Sequence, residues 1–323
     1  MKKIMMGHSE LQSSQIALGC MTLGGSWDDT NPSKEVVKTA LTAIETALEA
    51  GINLFDHADI YTRGKSEKVF SEIWETNLTT REEIVIQSKC GIRFANDLFA
   101  GSAAHYDFSY EHIISSVDQI LKRLKTEYLD VLLLHRPDAL VEPEEVAKAF
   151  NELKHQGKVR EFGVSNHNAA QISYLQSFLD VPLVVNQMEM SLLNSQLIDE
   201  GMNVNSLANP FEMRSNGTLE YCRQHHITLQ AWSPLAGGQL STKNVTQRYE
   251  KLSQLIALYG ALYGVDEEAI IIAWLLRHPA HIQPIIGTRS PQRIIAAAKG
   301  ESVALTREQW YALYQAVDHR KLL

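Results

Sequence analysis

The sequence contains few cysteines, no long hydrophobic run and no cluster of positive charge. Its three cysteines, Cys20, Cys90 and Cys222, lie far apart among 323 residues, which predicts free thiols in a reducing compartment. The longest apolar run, residues 269–276, is too short to span a bilayer, and the N-terminal stretch MKKIMMGHSE lacks the apolar core of a secretory signal. We therefore expect a cytoplasmic protein with no membrane partner.

The charge pattern argues against two further kinds of ligand. The formal net charge is −8 and basic residues form no long run, so nucleic acid is not expected as a partner, although small basic groups remain able to hold a phosphorylated ligand. The histidine pairs, such as His225 and His226, have no carboxylate or thiolate at ligand spacing, so no metal site is predicted. A hydrophobic content of 45% is typical of a globular protein with a large core.

Short apolar runs alternate with longer amphipathic segments along the whole chain. Segment 33–51, for example, has apolar residues at helical spacing and ends at Gly51. Such alternation indicates parallel strands joined by right-handed helical crossovers. The predicted strands cover residues 14–19, 52–56, 83–89, 128–135, 160–166, 182–187, 227–234 and 282–288.

Eight strand–helix units follow one another without a linker or a shift in composition. They predict an α/β fold, a (β/α)8 TIM barrel, formed by a single domain over residues 1–323. Residues 1–13 are predicted to form a hairpin across the N-terminal end of the barrel. Residues 190–216 and 235–264 are predicted to be long loops at the C-terminal face, where the pocket of such a barrel lies.

Polar side chains follow the apolar strands at the ends where a barrel collects its chemistry. Asp56 and Tyr61 follow the second strand, Lys89 ends the third and His135 ends the fourth. Alone, each is more often a solvated or structural residue. Together they suit one reaction, because a lysine ammonium lowers the pKa of a tyrosine, an aspartate holds the ammonium, and a histidine orients a carbonyl. The group predicts a general acid that protonates an oxyanion as a hydride arrives at carbon.

The motifs that carry these residues resemble those of the aldo-keto reductase superfamily. They are FDHADIY, which contains Asp56 and Tyr61, SKC with Lys89, LLLHRPD with His135, and GKVREFGVSN, which ends at Asn166. The resemblance extends from about residue 14 to residue 300. The HADIY and HRPD motifs are most similar to those of a group of bacterial cytoplasmic oxidoreductases, and the chain more distantly resembles the β-subunits of voltage-gated potassium channels.

The resemblance implies a catalytic tetrad of Asp56, Tyr61, Lys89 and His135, with Tyr61 as the proton donor. It also implies NADPH bound in an extended form across the barrel mouth without a Rossmann fold, and no G-x-G-x-x-G follows the first predicted strand. The residues implied to contact the cofactor are Gly19, Cys20, Met21, Ser165, Asn166, Gln187, Trp232, Ser233, Pro234, Leu235, Ala236, Gly237, Lys243, Gly287, Thr288, Arg289 and Arg293.

Two arginines at the start of a predicted helix favour NADPH over NADH. Arg289 and Arg293 present guanidinium groups near the N-terminus of segment 290–299, a suitable setting for a 2′-phosphate. At the other end of the implied cofactor site the chain departs from the family. Met188 and Met190 stand where an aromatic residue often stacks on the nicotinamide.

The leading hypothesis is an NADPH-dependent oxidoreductase that reduces aldehydes or ketones to alcohols. The alternative is a cofactor-sensing regulatory subunit with little turnover, although His135 differs from the asparagine common at that position in channel β-subunits. A third interpretation is a barrel aldolase or isomerase that forms a Schiff base through Lys89, which the neighbouring carboxylate disfavours. An apolar or aromatic substrate wall is expected from Phe94, Phe99 and Tyr106.

Overall fold

The computed structural model describes residues 1–204, 215–240 and 249–317, and its centre is a closed barrel of eight parallel strands. Two short antiparallel pairs, β1 with β2 and β6 with β7, lie outside the barrel. The strands in chain order are β1 (Lys3–Met5), β2 (Gln12–Ser14), β3 (Ala17–Gly19), β4 (Leu54–Asp56), β5 (Val85–Cys90), β6 (Ile92–Arg93), β7 (His105–Tyr106), β8 (Leu129–Leu134), β9 (Val159–Ser165), β10 (Leu183–Glu189), β11 (Thr228–Trp232) and β12 (Gln283–Ile286). Around the barrel the order is β10-β11-β12-β3-β4-β5-β8-β9, which confirms the predicted (β/α)8 architecture.

Helices connect the barrel strands and cover the outside of the barrel. Ser109, the predicted N-cap of the third helix, accepts a hydrogen bond from the backbone N–H of His112 at 3.3 Å. In the described part of the chain, no helix combines the length and the apolar character needed to cross a membrane. The α-helices are α1 (Lys34–Glu49), α2 (Lys65–Phe70), α3 (Tyr110–Leu124), α4 (Pro143–His155), α5 (Ala169–Gln176), α6 (Gln196–Met202), α7 (Thr218–Gln224), α8 (Glu250–Tyr263), α9 (Glu267–Leu276), α10 (Pro291–Ala298) and α11 (Arg307–Gln315).

The two segments predicted to be long loops contain helices, which corrects that prediction. Helix α6 lies within residues 190–216, and α8 lies within 235–264. The sequence of α8 hides its helical period because Leu258 and Leu262 are exposed, so that apolar residues occupy more than one face. Gly260 inside the helix further lowers its intrinsic propensity.

The antiparallel pair β1 and β2 confirms the predicted N-terminal hairpin, and its connecting turn fills the N-terminal end of the barrel. Met6 is fully buried among the apolar side chains of the barrel interior. The N–H of Gly7 donates to the hydroxyl of Thr228, the first residue of β11, at 2.8 Å. A Cβ on Gly7 would lie 2.7 Å from the carbonyl oxygen of Val184 and its φ is +57°, so this close approach requires glycine.

The chemistry of the barrel interior changes along the strands. Residues two apart on a strand point to the same face, so the interior can be followed in steps of two. In β4, buried Leu54 is followed by buried Asp56; in β5, Val85 is followed by Gln87 and then by Lys89. The apolar part of the interior consists of Met6, Ala17, Leu54, Val85, Val131, Leu133, Val184, Val185 and Ile285.

Candidate active site

A cavity of about 510 Å³ opens at the C-terminal ends of the barrel strands. Asp56, Tyr61 and His135 lie on its wall, and Lys89 lies beneath them with 1% of its surface exposed. A cavity of this size is typical of sites that hold a cofactor or a small molecule. The fold therefore brings the four predicted catalytic residues to one place.

Three of these four residues form a continuous hydrogen-bonded chain. The Nζ of Lys89 donates to Asp56 Oδ2 at 2.8 Å, to Tyr61 Oη at 2.9 Å and to the backbone oxygen of His57 at 2.7 Å. An ammonium has three donors, so all of them are used. Asp56 ends β4 and Lys89 lies in the adjacent parallel strand β5, which explains why residues distant in sequence meet here.

Burial and charge set the protonation states of this chain. Burial lowers the pKa of Lys89, but Asp56 and Tyr61 outweigh it and raise the pKa above its ordinary value, so the ammonium persists at neutral pH. Burial raises the pKa of Tyr61, and Lys89 offsets only part of that rise because Asp56 acts in the opposite direction. Lys89 therefore lowers the Tyr61 pKa as predicted, but the net shift is upward, and the phenol is a protonated donor at neutral pH.

His135 faces Tyr61 across the cavity, with ring centroids 6.0 Å apart and an interplanar angle of 81°. Burial lowers its pKa well below the ordinary value, and the cations of Lys89 and Arg136 lower it further. The imidazole is consequently neutral at neutral pH. Its Nδ1 has no hydrogen-bond partner among the described residues. A neutral imidazole in this position can donate one N–H to a carbonyl oxygen.

A second polar group lies on the wall at the ends of β9, β10 and β11. The hydroxyl of Ser165 donates to the backbone oxygen of Gln187 at 2.9 Å, and Asn166 Nδ2 donates to the Ser165 hydroxyl at 2.8 Å. Trp232 Nε1 donates to Asn166 Oδ1 at 3.2 Å. Asn166 has a φ of +62°, a left-handed conformation that asparagine tolerates better than most residues. These bonds fix amide and hydroxyl groups at the cavity edge.

Buried glutamines lie beneath Asp56, and the sequence did not predict this layer. Gln87 and Gln187 each donate an amide N–H to Asp56 Oδ1, at 2.6 and 2.9 Å. The same two amides donate to Gln230 Oε1, at 2.8 and 3.0 Å. A signal was present, because VIQSK and TLQAW each place a glutamine at an inward position of a strand that should be apolar.

The predicted cofactor residues divide between the cavity wall and positions away from it. Cys20, Ala236 and Arg289 are not part of the wall, and the fully buried thiol of Cys20 points toward the carbonyl oxygen of Leu18 at 3.6 Å. Lys243 lies outside the described residues. The predicted residues on the wall are Gly19, Met21, Ser165, Asn166, Gln187, Trp232, Ser233, Pro234, Leu235, Gly237, Gly287, Thr288 and Arg293.

The predicted pair of arginines is reduced to one at the cavity. Arg293 lies on the wall, and its Nε donates to Glu268 Oε1 at 3.0 Å, while Arg289 lies off the wall. Gly237 and Gly238 have positive φ values, and a Cβ on either would meet no atom of another described residue within 4 Å. Their backbone therefore leaves room for a ligand to approach closely.

Part of the apolar wall comes from residues that the sequence did not indicate. Trp27 and Ile92 lie on the wall, whereas the expected Phe94, Phe99 and Tyr106 do not. Phe99 and Tyr106 are exposed. The ring of Phe94 lies under the guanidinium of Arg63, outside the cavity. The unpredicted residues of the wall are Thr22, Trp27, Ile60, Ile92, Arg136, Gly238 and Ile285.

Comparisons with known proteins agree on the family of this chain. The model of the Aldo/keto reductase family matches residues 15–318. The uncharacterized oxidoreductase YcsN of Bacillus subtilis is 39% identical over 279 residues, covering 86% of this chain and 88% of the relative. The 6-dehydroglucose reductase of Agrobacterium fabrum is 36% identical and covers 94% of both chains. Oxidoreductase YdhF of Escherichia coli is 37% identical, covering 84% of this chain and 85% of its own.

Solved structures share the fold at lower identity. The thermostable aldo-keto reductase Tm1743, in complex with the inhibitor epalrestat, has a TM-score of 0.79 at 23% identity and covers 98% of this chain and 100% of its own. The aldo-keto reductase of Bombyx mori in complex with NADP has a TM-score of 0.73 at 20% identity, with coverages of 99% and 94%. The barrel, the family match and the identity to the bacterial oxidoreductases together show that the chain belongs to the Aldo/keto reductase family.

Proposed function

We propose that the protein is an NADPH-dependent oxidoreductase that reduces an aldehyde or ketone to an alcohol. The observation that carries the proposal is the buried hydrogen-bonded chain of Asp56, Lys89 and Tyr61 beside a cavity of about 510 Å³. Membership of the Aldo/keto reductase family supports carbonyl reduction. The similarity to a 6-dehydroglucose reductase makes an oxidised sugar one of the first substrates to test.

The wall of the cavity suits an extended nicotinamide cofactor. Ser165, Asn166 and Gln187 offer hydroxyl and amide groups for a nicotinamide carboxamide. Gly237 gives close access to the backbone for a pyrophosphate, and Arg293 offers a guanidinium for a 2′-phosphate. The NADP complex of the Bombyx mori reductase supports this choice of cofactor. NADPH, when bound, supplies the hydride.

Tyr61 is the proposed proton donor. As the carbonyl carbon accepts a hydride, negative charge develops on the carbonyl oxygen, and the Tyr61 hydroxyl transfers its proton to that oxygen to form the alcohol. The resulting phenolate is stabilised by the Lys89 ammonium, 2.9 Å from the tyrosine oxygen, and Asp56 holds that ammonium in place. Neutral His135 donates a hydrogen bond to the same carbonyl oxygen. A proton from water then restores the phenol.

Replacing Tyr61 with phenylalanine tests this role. We expect kcat for aldehyde reduction to fall by about 10²- to 10⁴-fold, because the proton donor is removed. The measurement is the loss of NADPH absorbance with a panel of small and sugar-derived aldehydes. The affinity for NADPH, followed by fluorescence quenching, should stay within about twofold, since the phenol is not assigned a cofactor contact.

Two results would count against the proposal. An unchanged kcat in Tyr61→Phe would remove the tyrosine from its role as proton donor. Binding of NADPH without turnover by the wild-type protein, even with reactive aldehydes, would favour the cofactor-sensing alternative.

Replacing Arg293 with methionine tests the preference for NADPH. We expect the Kd for NADPH to rise by about tenfold or more, because a charge-assisted hydrogen bond to the 2′-phosphate is lost, while the Kd for NADH changes little. Arg289→Met is the matched comparison, and its position off the wall predicts a smaller effect. Equal weakening of both cofactors in Arg293→Met would contradict the assignment of the 2′-phosphate.

A further inference from the structure

Four glutamines form a hydrogen-bonded path across the interior of the barrel. Each of them is 2% exposed or less. Gln187, Gln230 and Gln283 lie on the adjacent strands β10, β11 and β12, and Gln187 and Gln283 are both paired in register with Gln230. Gln87 reaches Gln230 from β5, on the other side of the barrel. The path begins at Asp56 and ends at the N-terminal hairpin.

Each end of the path includes a group that only accepts hydrogen bonds; at the hairpin end, Gln283 Nε2 also donates to the Ser13 hydroxyl at 2.9 Å. At the hairpin, the backbone oxygen of Ser14 accepts from Gln283 Nε2 at 2.6 Å. At the cavity, Asp56 Oδ1 accepts from Gln87 and Gln187. A carbonyl and a carboxylate have no proton to give, so each end fixes which side of the neighbouring amide faces it.

The orientation of each glutamine side-chain amide in the path follows from the hydrogen bond that Gln283 donates to the backbone oxygen of Ser14. Because Gln283 presents its NH₂ to Ser14, it presents Oε1 to Gln230, whose Nε2 donates to it at 2.9 Å. Gln230 therefore presents Oε1 to Gln87 and Gln187, which must meet it with their NH₂ groups. The same NH₂ groups donate to Asp56. Gln230 Nε2 also donates to Gln87 Oε1 at 3.1 Å, which fixes the orientation of the Gln87 amide.

We infer that Gln230 is a positioning residue for the Asp56 carboxylate, and that Ser14 sets the direction of the amides through Gln283. Gln230 does not line the cavity, and among the described residues its side chain forms hydrogen bonds with Gln87, Gln187 and Gln283 and not with Asp56, Lys89 or Tyr61. It acts by holding two NH₂ groups against Asp56 Oδ1, so that the second oxygen, Oδ2, stays aimed at Lys89. The inference rests on the proposed function, because it concerns the residues assigned to proton transfer there.

A reversed amide would place an oxygen against the Asp56 carboxylate. Two unprotonated oxygens repel at hydrogen-bond distance in a dry interior, so Asp56 would turn away from Gln87 or Gln187 and weaken its contact with Lys89. Lys89 would then be held by the His57 carbonyl oxygen and by Tyr61, and its charge would be less neutralised. The phenol of Tyr61 would lose the fixed geometry that proton transfer requires.

The first experiment replaces Gln230 with methionine, which has a similar shape and no amide. We expect kcat to fall by about 10- to 100-fold, because small displacements of the reacting groups have costs of this order. KM and Kd for NADPH should change much less than kcat, since Gln230 does not reach the cavity wall. Gln187, which does reach it, keeps its acceptor on Asp56. Gln283→Met, one link further from Asp56, should show the same pattern with a smaller loss.

Replacing Gln230 with glutamate separates positioning from packing. A protonated glutamic acid keeps an oxygen for Gln87 and Gln187 and a hydroxyl for Gln283. The ionised form still accepts from the first two, but it sets an unprotonated oxygen against Gln283 Oε1, and the repulsion displaces it from its place in the path. The variant should therefore approach wild-type kcat at low pH and lose it as pH rises, while Gln230→Met stays slow at every pH. The same low kcat for both variants across the pH range would overturn the inference.

A titration of Tyr61 gives a readout that does not depend on turnover. The difference in tyrosinate absorbance between each protein and its Tyr61→Phe counterpart isolates the ionisation of Tyr61. The charged or titratable groups that act on Tyr61 and Lys89 are Asp56, Cys20, Glu67, His57 and His135. With Asp56 displaced, its upward effect on the Tyr61 pKa weakens, so the midpoint in Gln230→Met should move to lower pH.

Val85→Ala provides the control for a loss of stability alone. Val85 is buried in the apolar part of the interior, so the variant should lower the melting temperature without moving the Tyr61 midpoint. If Gln230→Met likewise lowers only the melting temperature, Gln230 is structural and the inference fails. If the wild-type protein shows no turnover, the proposed function fails, and the titration still decides the role of Gln230.

Discussion

The two ends of the barrel interior are built from the same strands and differ in what they contribute. Leu54 and Val85, at the N-terminal end, are buried among apolar neighbours, and each such side chain stabilises the fold by about 1.5–3 kcal/mol. Asp56 and Lys89, two and four residues further along, bury a carboxylate and an ammonium, and a buried ion pair adds little net stability. Stability thus comes mainly from one end, while the charges at the other end belong to the residues proposed to carry the chemistry.

The largest effect is expected when the ammonium is removed from the charged end. Lys89→Met should lower kcat by about 10³-fold or more, because the phenolate formed on Tyr61 loses its cation. It should also lower the free energy of unfolding by about 3–5 kcal/mol, since Asp56 is left as an unpaired buried charge. Steady-state kinetics and urea denaturation measure the two effects.

The double variant Asp56→Asn, Lys89→Met is the control. An asparagine oxygen still accepts from Gln87 and Gln187, and no charge remains buried. Stability should return toward that of the wild type while activity stays lost. A double variant as unstable as Lys89→Met would show that the ion pair itself holds the fold, which would remove the distinction between the two ends.

An apolar truncation at the other end should give the opposite pattern. Leu54→Ala should lower the free energy of unfolding by about 2–5 kcal/mol, because it opens a cavity in a fully buried site. The kcat per folded molecule should change by less than about threefold, since Leu54 has no polar contact with the site. A large loss of kcat with little loss of stability would contradict the comparison.

A smaller effect should come from Asp59, a buried carboxyl near the charged end, on which the cation of Arg123 acts more weakly than burial does. Burial raises the pKa of Asp59 to about 8, and the nearby Glu67 raises it as well. Because the folded pKa lies above the unfolded value of 3.8, the folded protein holds a proton that the unfolded chain releases, and stability is lost as pH rises from about 4 to about 8.

Asp59→Asn should remove this dependence. The melting temperature of the variant, relative to the wild type, should rise between about pH 4 and about pH 8, where unfolding of the wild type releases the proton held by Asp59. A constant difference between the two proteins across this range would mean that Asp59 already ionises at its ordinary pKa.

The barrel could be predicted because its signals are local. Caps, glycine stops and the alternation of apolar runs with amphipathic segments lie within single elements, as Ser109 and Gly51 illustrate. The proximity of Tyr61 to Lys89 was predictable for a related reason, since parallel strands bring their C-terminal ends to one face. Helix α8 was missed because its exposed leucines obscure the period.

The protonation state of Tyr61 and the composition of the cavity wall could not be predicted, because both depend on residues that are far apart in the sequence. The direction of the Tyr61 pKa is set by the balance between burial, Lys89 and Asp56, and the sequence indicates the charges but not the burial. The contribution of Trp27 and Ile92 to the cavity wall depends on how irregular segments return to the barrel mouth.

The hairpin of β1 and β2 also determines where water enters. In the described part of the chain, the turn after β1 fills the N-terminal end of the barrel with Met6 and Gly7, so solvent reaches Tyr61 through the mouth at the opposite face. In the proposed reaction, the substrate occupies that mouth during reduction. The Tyr61 hydroxyl is therefore expected to regain a proton from water only after the alcohol product has left the mouth. Exchange of this proton with heavy water should therefore occur between turnovers.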